Sequence, residues 1–525
     1  MFKFVYAQKI FLSDIGFINS VSKSWPVRQS KYCCSHPQHH RWLSNQAVNQ
    51  ENSIIQDDAY DIVINGGGIV GFSMFAAIKS SPFLSAKRVL LIEQQSPPQP
   101  STSVMPEARK FSNRVSAITL SSKEFFEQLK IWDSLSPYAK SIQGMYVWSE
   151  HYQNGINFGH DSLYENAMCY ILENNRILQA LHDLIQSNPN SLQHISYKTS
   201  VVDINQDVDV RDSQATTIKL KIVDMEDTQQ QQKSIQTRLL IGCDGYKSIV
   251  RSKSTLPYFE ADLNQMGIVG TLEVETLNND NHIAFQRFVN DQLVIALLPL
   301  DKCHSSLVLS VPKQSLQEWM KLSDQEFISR LNNELIREPK IQSPLDKLAS
   351  TFNIRQFKYD NAQIRSPATI RSIVTGSRAA FPLGFGTTIP FMVGTIQAKV
   401  PLLQALINKD KRVNTAIIGD AAHRVHPLAG QGLNLGLGDA STLFSCLDSK
   451  LSAGYELFAS RSDSHEALSQ ALYDFERCRV LKLIPMMTAI HSMQTLFHFT
   501  PSVLLPIVNQ MDMAKKLIVS FANSR

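Results

Sequence analysis

The chain has no run approaching the ~18 consecutive apolar residues of a membrane-spanning helix, so no segment of its 525 residues reads as one. It has no Cys-x-x-Cys pair. Beyond residue 50 the cysteines (Cys169, Cys243, Cys303, Cys446 and Cys478) are scattered, which suits reduced thiols rather than a disulfide framework. No internal repeat, Ser-His-Asp arrangement or paired-carboxylate motif is evident. An excess of charge is missing too, once the first 50 residues are set aside. They hold six of the 51 basic residues and one of the 47 acidic ones, leaving 45 against 46. The pI of about 8.5 is therefore no signature of nucleic-acid binding.

What is present is ordinary for a soluble globular protein, 43% hydrophobic and 19% charged, and long enough for two or more domains with large cores. The first 43 residues differ. They are basic, serine-rich and nearly free of acids, with Phe2, Phe4, Ile10, Phe11, Ile15, Phe17 and Ile18 often helically spaced. That pattern reads as a mitochondrial transit peptide ending near Arg41-Trp42-Leu43-Ser44, the alternative being a disordered tail. The Cys33-Cys34 pair and His36, His39 and His40 lie inside the segment expected to be removed, so they are set aside as a metal site.

The stretch with most chemistry in it runs from Ile417 to Asp439, IIGDAAHRVHPLAGQGLNLGLGD. A short strand, Thr415 to Ile418, stops at Gly419-Asp420. A turn broken by Pro427 and Gly430 follows, and Gln431-Gly432-Leu433-Asn434 opens a helix. The free N–H groups of a helix's first turn and the positive end of its dipole suit a negative group. His423 and His426 sit three apart, but the proline turn denies them a helical face, and hydrogen bonding rather than metal ligation is expected of them.

Upstream, Tyr60 to Ile64 reads as a buried parallel strand, Gly66-x-Gly68-x-x-Gly71 opens a helix, and Arg88 to Ile92 is a second strand ending at Glu93. In such a βαβ unit Gly66 permits the tight turn, Gly68 lets a pyrophosphate approach the backbone, and Gly71 lets helix and strand pack. Glu93 stands where a ribose hydroxyl needs an acceptor. The unit binds a dinucleotide, NAD or FAD. Asn65 stands where such a strand would stay apolar, and the sequence does not explain it. A second strand-glycine turn, Arg238 to Gly245, leads to Ser248-Ile249-Val250-Arg251 at a helix start. Ile195 to Ile204 reads as a strand, residues 205–236 as a polar hairpin or insertion, and residues 266–378 as strands, among them Gly267 to Glu275, with a helix near Gln325 to Leu335; Pro299, Pro382 and Gly384-Phe385-Gly386 punctuate this part, and the end of the chain reads as helical.

In order, Gly66–Gly71 with Glu93, Gly242–Arg251 and Gly419–Asp439 resemble the three fingerprints of the FAD-dependent aromatic hydroxylases of the para-hydroxybenzoate hydroxylase type. His426-Pro427-Leu428-Ala429-Gly430-Gln431-Gly432-Leu433-Asn434-Leu435-Gly436-Leu437-Gly438-Asp439 resembles the signature of the ubiquinone-biosynthesis hydroxylases. Arg114-Val115-Ser116-Ala117, Gln286-Arg287-Phe288, Leu298-Pro299-Leu300, Phe381-Pro382-Leu383-Gly384 and Phe475-Glu476-Arg477-Cys478-Arg479 also resemble that subfamily. The resemblance implies an α/β fold: an FAD-binding Rossmann-like domain (58–140, 165–256, 412–450), an interleaved sheet-rich α+β substrate domain (141–164, 257–411) and a helical C-terminal region (451–525).

It further implies ring hydroxylation of a polyprenylated 4-hydroxybenzoate-type phenol with dioxygen. Electrons would come through ferredoxin and ferredoxin reductase. The enzyme would sit peripherally on the matrix side of the mitochondrial inner membrane, with other ubiquinone-biosynthesis proteins. FAD would be held by Gly66, Gly68, Gly71, Glu93, Arg114, Asp244, Gly245, Arg251, Gly419, Asp420, Pro427, Gly430, Gly432 and Asn434. The N–H groups around Gly430, Gln431, Gly432 and Leu433 would stabilise charge at the flavin edge. The competing readings are a soluble NAD(P)H-dependent hydroxylase of another phenol and an idle FAD-fold subunit of a complex.

Overall fold

The computed structural model describes residues 58–98, 111–149, 152–159, 167–187, 194–208, 216–226, 232–254, 256–275, 282–289, 293–336, 367–388, 393–394, 414–425 and 431–499, with side chains as far as Leu483. The expected leader and the stretch from His426 to Gly430 lie outside the described residues.

Among the described residues, the apolar runs form the centre of an eight-stranded sheet. Val393–Gly394, Thr415–Ile417, Gln232–Gly242, Ala59–Asn65, Val89–Ile92 and Ile195–Ser196 lie in that order, all parallel from Thr415–Ile417 onward. Ile62 to Ile64 and Leu239 to Ile241 are fully buried, as strands covered on both faces must be. The polar stretch after Ile204 does form a hairpin, Thr199–Val208 with Thr216–Asp224, hung antiparallel on Gln232–Gly242. The helices Ile69–Ser80, Leu120–Gln128, Asn174–Gln186 and Gly432–Ser452 share one core with this sheet. Ile69–Ser80 is apolar almost all round and buried nearly throughout.

A second sheet has nine strands among the described residues: His423–Arg424, Ala379–Thr388, Tyr258–Val274, His304–Pro312, Val294–Pro299, Ile283–Phe288, Gly144–Ser149 and Tyr152–Gly159 in sequence across it, with Ile370–Ile373 on the side of Tyr258–Val274. One face packs Ile268, Leu272, Leu307 and Leu309 against Trp319, Phe327 and Leu331 of the helices Leu316–Lys321 and Asp324–Ile336. A small sheet of Val115–Ile118, Cys169–Glu173 and Lys140–Ile142 lies beside it.

Three expectations change. The strand expected from Gly267 begins nine residues earlier, at Tyr258. Its first part reads as irregular because the register breaks between Asp262 and Met266, where Asn264 takes φ 53° and donates its N–H to Asp262. Pro382 and Gly384-Phe385-Gly386, expected to punctuate, are instead inside the strand Ala379–Thr388, with Pro382 opposite that break, where a missing N–H is tolerated. The run from Ile195 to Ile204 is two strands, parted at Lys198, which takes φ 52°. The two sheets also trade strands across the expected domain borders: Val393–Gly394 joins the parallel sheet and His423–Arg424 the large one.

Candidate functional site

Three turns leave one end of the parallel sheet side by side. Asn65 pairs with Gly242 and Gly242 with Ile417, so Gly66, Cys243-Asp244 and Ile418-Gly419 emerge together, with Glu93 beside them. This is the carboxyl edge at which open α/β sheets bind ligands.

At the first turn, Gly66 takes φ +111°, and a Cβ there would meet the Cys243 carbonyl at 2.5 Å. A Cβ on Gly71 would fall 1.9 Å from the Gly66 carbonyl oxygen. Gly68 is exposed, and a Cβ on it would meet nothing within 4 Å. It caps the helix Ile69–Ser80 with no side-chain hydrogen bond, and the first turn carries no acid. The leading N–H groups are thus left for a ligand. Glu93 accepts from the Gly67 N–H at 2.5 Å through Oε2 and from Gln95 at 2.7 Å through Oε1.

At the second turn, Asp244 Oδ2 accepts from Asn65 Nδ2 at 3.1 Å and from the Ile249 N–H at 2.8 Å. That accounts for Asn65: it joins the first strand end to the second turn. Asp244 Oδ1 is buried and has no partner among the described residues. Burial pushes the Asp244 carboxyl up, against the pull of Ser248 and the helix N–H groups. Gly245 takes φ +75° with open space at its Cβ position. Arg251 stacks 3.8 Å from the ring centroid of Tyr258 in the large sheet. It donates to the carbonyls of Tyr246 and Ala421 at 2.5 Å each, so it clamps the second turn to the third.

The third turn spans both sheets. Gly419 takes φ +64°, Asp420 follows, and His423–Arg424 pairs with Gly386 and Thr387 of the large sheet. Asp420 reaches solvent yet is walled in by protein, as a group in a cleft is, and that burial holds its carboxyl above its ordinary value. Gly432 begins the helix, again without a side-chain cap or an acid in the first turn; a Cβ there would have Asp420 Oδ1 and Val425 Cγ2 nearest, both at 3.8 Å. Gln431 is buried, and Leu433 packs on the core of the parallel sheet. The Asn434 side chain is engaged within the protein: it accepts from Thr119 N at 3.0 Å and Ser122 Oγ at 2.8 Å and donates to Ala117 O at 2.7 Å. It thereby ties the helix to the segment that carries Arg114, which is itself exposed and flanked by residues pinned to Glu173 and Asn174. Pro427, Gly430 and His426 lie outside the described residues.

Sequence reasoning missed two participants, Asp439 and Arg479. Asp439 is fully buried, and its carboxylate accepts from Gly419 N at 2.9 Å, His423 Nε2 at 2.6 Å and Arg479 Nε at 2.6 Å. Burial alone would raise its pKa, but His423 and Arg479 beside it hold the carboxyl below its ordinary value. No spacing rule marks residues 20 and 40 positions apart; the one signal was charge inside an apolar helix. No cluster of metal-ligating side chains occurs among the described residues.

Three glycine turns at one sheet edge, two uncapped helix starts and an unmet buried carboxylate oxygen fit a long anionic dinucleotide, and the fold is that of the FAD-dependent monooxygenases. The FAD binding domain family matches residues 60–364 and 404–476. The chain is 32% identical to the ubiquinone biosynthesis monooxygenase COQ6, mitochondrial, of Drosophila melanogaster over 85% of each chain, and 30% identical to that of Danio rerio over 92% of this chain and 94% of the other. In structure it is similar to p-nitrophenol 4-monooxygenase of Pseudomonas putida (TM-score 0.57, 15% identity, 89% of this chain and 99% of that one). It is also similar to Klebsiella pneumoniae HpxO complexed with FAD (TM-score 0.55, 13% identity, 89% and 99%). The chain belongs to the FAD binding domain family and, within it, to the ubiquinone biosynthesis monooxygenases.

Proposed function

We propose that the protein hydroxylates the aromatic ring of a polyprenylated 4-hydroxybenzoate-type precursor of ubiquinone, using FAD and dioxygen, in the mitochondrion. One observation carries the reading. The third turn belongs to both sheets, so a cofactor held by the first two turns would meet the large sheet at Gly419–Arg424. Bound FAD would supply the two-electron chemistry that activates dioxygen. The chain's own contribution is positional and electrostatic. The first-turn N–H groups at Gly68 suit the phosphates; Glu93 and Asp244 suit hydroxyls; the helix start at Gly432, with Gln431 and Leu433, suits the charge of a reduced flavin. By resemblance Gly430 and Pro427 would also hold FAD, and Arg114 would contact it.

Electrons arrive through ferredoxin and its reductase in this reading, and the enzyme works peripherally at the inner membrane, matrix side, with its pathway partners. No helix among the described residues is long and apolar enough to cross a membrane. The test is purified holoprotein given a prenylated hydroxybenzoate with either reduced ferredoxin or NADPH. A product carrying one added oxygen with ferredoxin alone supports the proposal. Turnover of a water-soluble phenol with NADPH, or flavin without any turnover, overturns it.

A further inference from the structure

The third turn is held by a buried ion pair that joins three separate stretches of chain. Gly419 and His423 lie on either side of Asp420, and both donate to the one Asp439 carboxylate, two turns into the helix Gly432–Ser452. A carboxylate only accepts, so His423 presents Nε2–H to it. Arg479, from the helix Ser462–Phe499, closes the set: its Nε donates to Asp439 at 2.6 Å, and its Nη2 donates at 3.0 Å to the carbonyl of Leu435 in the first turn of Gly432–Ser452. Both partners of the pair are buried, 0% and 5% exposed in their side chains. Gly438 makes room for the guanidinium, since a Cβ there would lie 2.9 Å from Arg479 Nη1.

A buried ion pair is an expensive way to join two helices that apolar packing could join. What a guanidinium adds is direction: a planar fork fixes the angle of the carboxylate and of the carbonyl together. Those two acceptors belong to the helix whose N-terminus faces the candidate flavin site. We propose that Arg479 is a positioning residue for that site. Acting through Asp439, it sets the register between the Gly419–His423 turn and the start of the Gly432 helix. The inference rests on the FAD reading above.

The test compares Arg479→Gln, Arg479→Lys, Asp439→Asn and the double variant Asp439→Asn/Arg479→Gln. It reads FAD dissociation from each holoprotein, the reduction potential of the bound flavin and the melting temperature of the apoprotein. Arg479→Gln leaves Asp439 without its cation and is expected to weaken FAD at least ~30-fold and to shift the potential; Arg479→Lys, which keeps the charge and loses the fork, falls between. The double variant removes both charges and should recover at least ~tenfold of the lost affinity, because the two sites act as one. Should Arg479→Gln fail to fold, the lysine and double variants carry the test. A lowered melting temperature with wild-type FAD affinity and potential overturns the proposal, as does a double variant without recovery. A wild-type protein that retains no FAD would instead sink the functional reading.

Discussion

The first and third turns meet at Val70, yet they are built from different materials. The first is held mainly by backbone and by the absence of side chains, Gly66 against the Cys243 carbonyl and Gly71 against the Gly66 carbonyl, with one half-buried carboxylate, Glu93, accepting from the Gly67 N–H. The third is held by buried charge, Asp439 between Gly419, His423 and Arg479, with Gly436 letting the helix rest on Val70. A steric turn is marked by glycine spacing within six residues, even where it closes against a distant backbone such as that of Cys243, and tolerates no added atom at its contacts. An ionic turn draws on residues far apart and is sensitive to the loss of one charge.

The largest expected effect breaks the first turn in two distinguishable ways. Gly71→Ala places a carbon inside the Gly66 carbonyl's radius, so the backbone must move, and the apoprotein melting temperature should fall steeply. Gly68→Val meets open space and should leave a folded apoprotein, weakened only by a poorer helix cap of about 1 kcal/mol. Its side chain stands before the uncapped N–H groups, so FAD affinity should drop by more than ~100-fold, about 2.7 kcal/mol. Calorimetry of the apoproteins beside FAD titration separates the two. A Gly68→Val protein with normal flavin content would remove the first turn from the site.

The same contrast explains what could be read from sequence. Steric rules are local, so Gly66, Gly68, Gly71 and the run of buried strands around them were legible from spacing and apolar pattern alone. The large sheet was legible only where it alternates cleanly. Its first strand was lost because a register break at Asp262–Met266 interrupts the period, and Pro382 read as a stop although it sits opposite that break. Asp439 and Arg479 were hidden for a different reason. Their pairing is created by two helices meeting, and nothing in either segment states which charge the other supplies.

The second turn lies between the two kinds, and Asp244→Asn sharpens where. Burial raises the Asp244 pKa in the folded state above its ordinary value of 3.8, so its charged form burdens the apo fold increasingly above that pH and in full once pH exceeds the folded value. Asparagine keeps an acceptor for Asn65 and Ile249 and removes that burden. The apoprotein should therefore melt higher at neutral pH, with the gain vanishing below about pH 3.8, where Asp244 is protonated in both states. FAD affinity should move the other way, about tenfold weaker, because Oδ1 would no longer offer a charged acceptor. A variant that melts no higher at pH 7, or binds FAD as tightly as the parent, would place Asp244 outside the site.

The smallest effect concerns Asn65, the polar residue ending an otherwise apolar strand. Valine there would suit the strand and would fit the 6% exposed position, so a purely steric view of the first turn predicts no harm. The hydrogen bond to Asp244 predicts otherwise. Without Asn65 Nδ2, Asp244 Oδ2 keeps the Ile249 N–H but loses its tie to the first strand, a change of about 1 kcal/mol. Because the link runs between turns rather than within one, the loss should show less in melting temperature than in cofactor binding, at about fivefold. Combining Asn65→Val with Asp244→Ala, which removes the acceptor, tests this directly: if the pair acts as one unit, the double variant binds FAD no worse than Asp244→Ala alone. Additive losses would mean that the first and second turns hold the cofactor independently, and Asn65 would then be only a strand residue of unusual polarity.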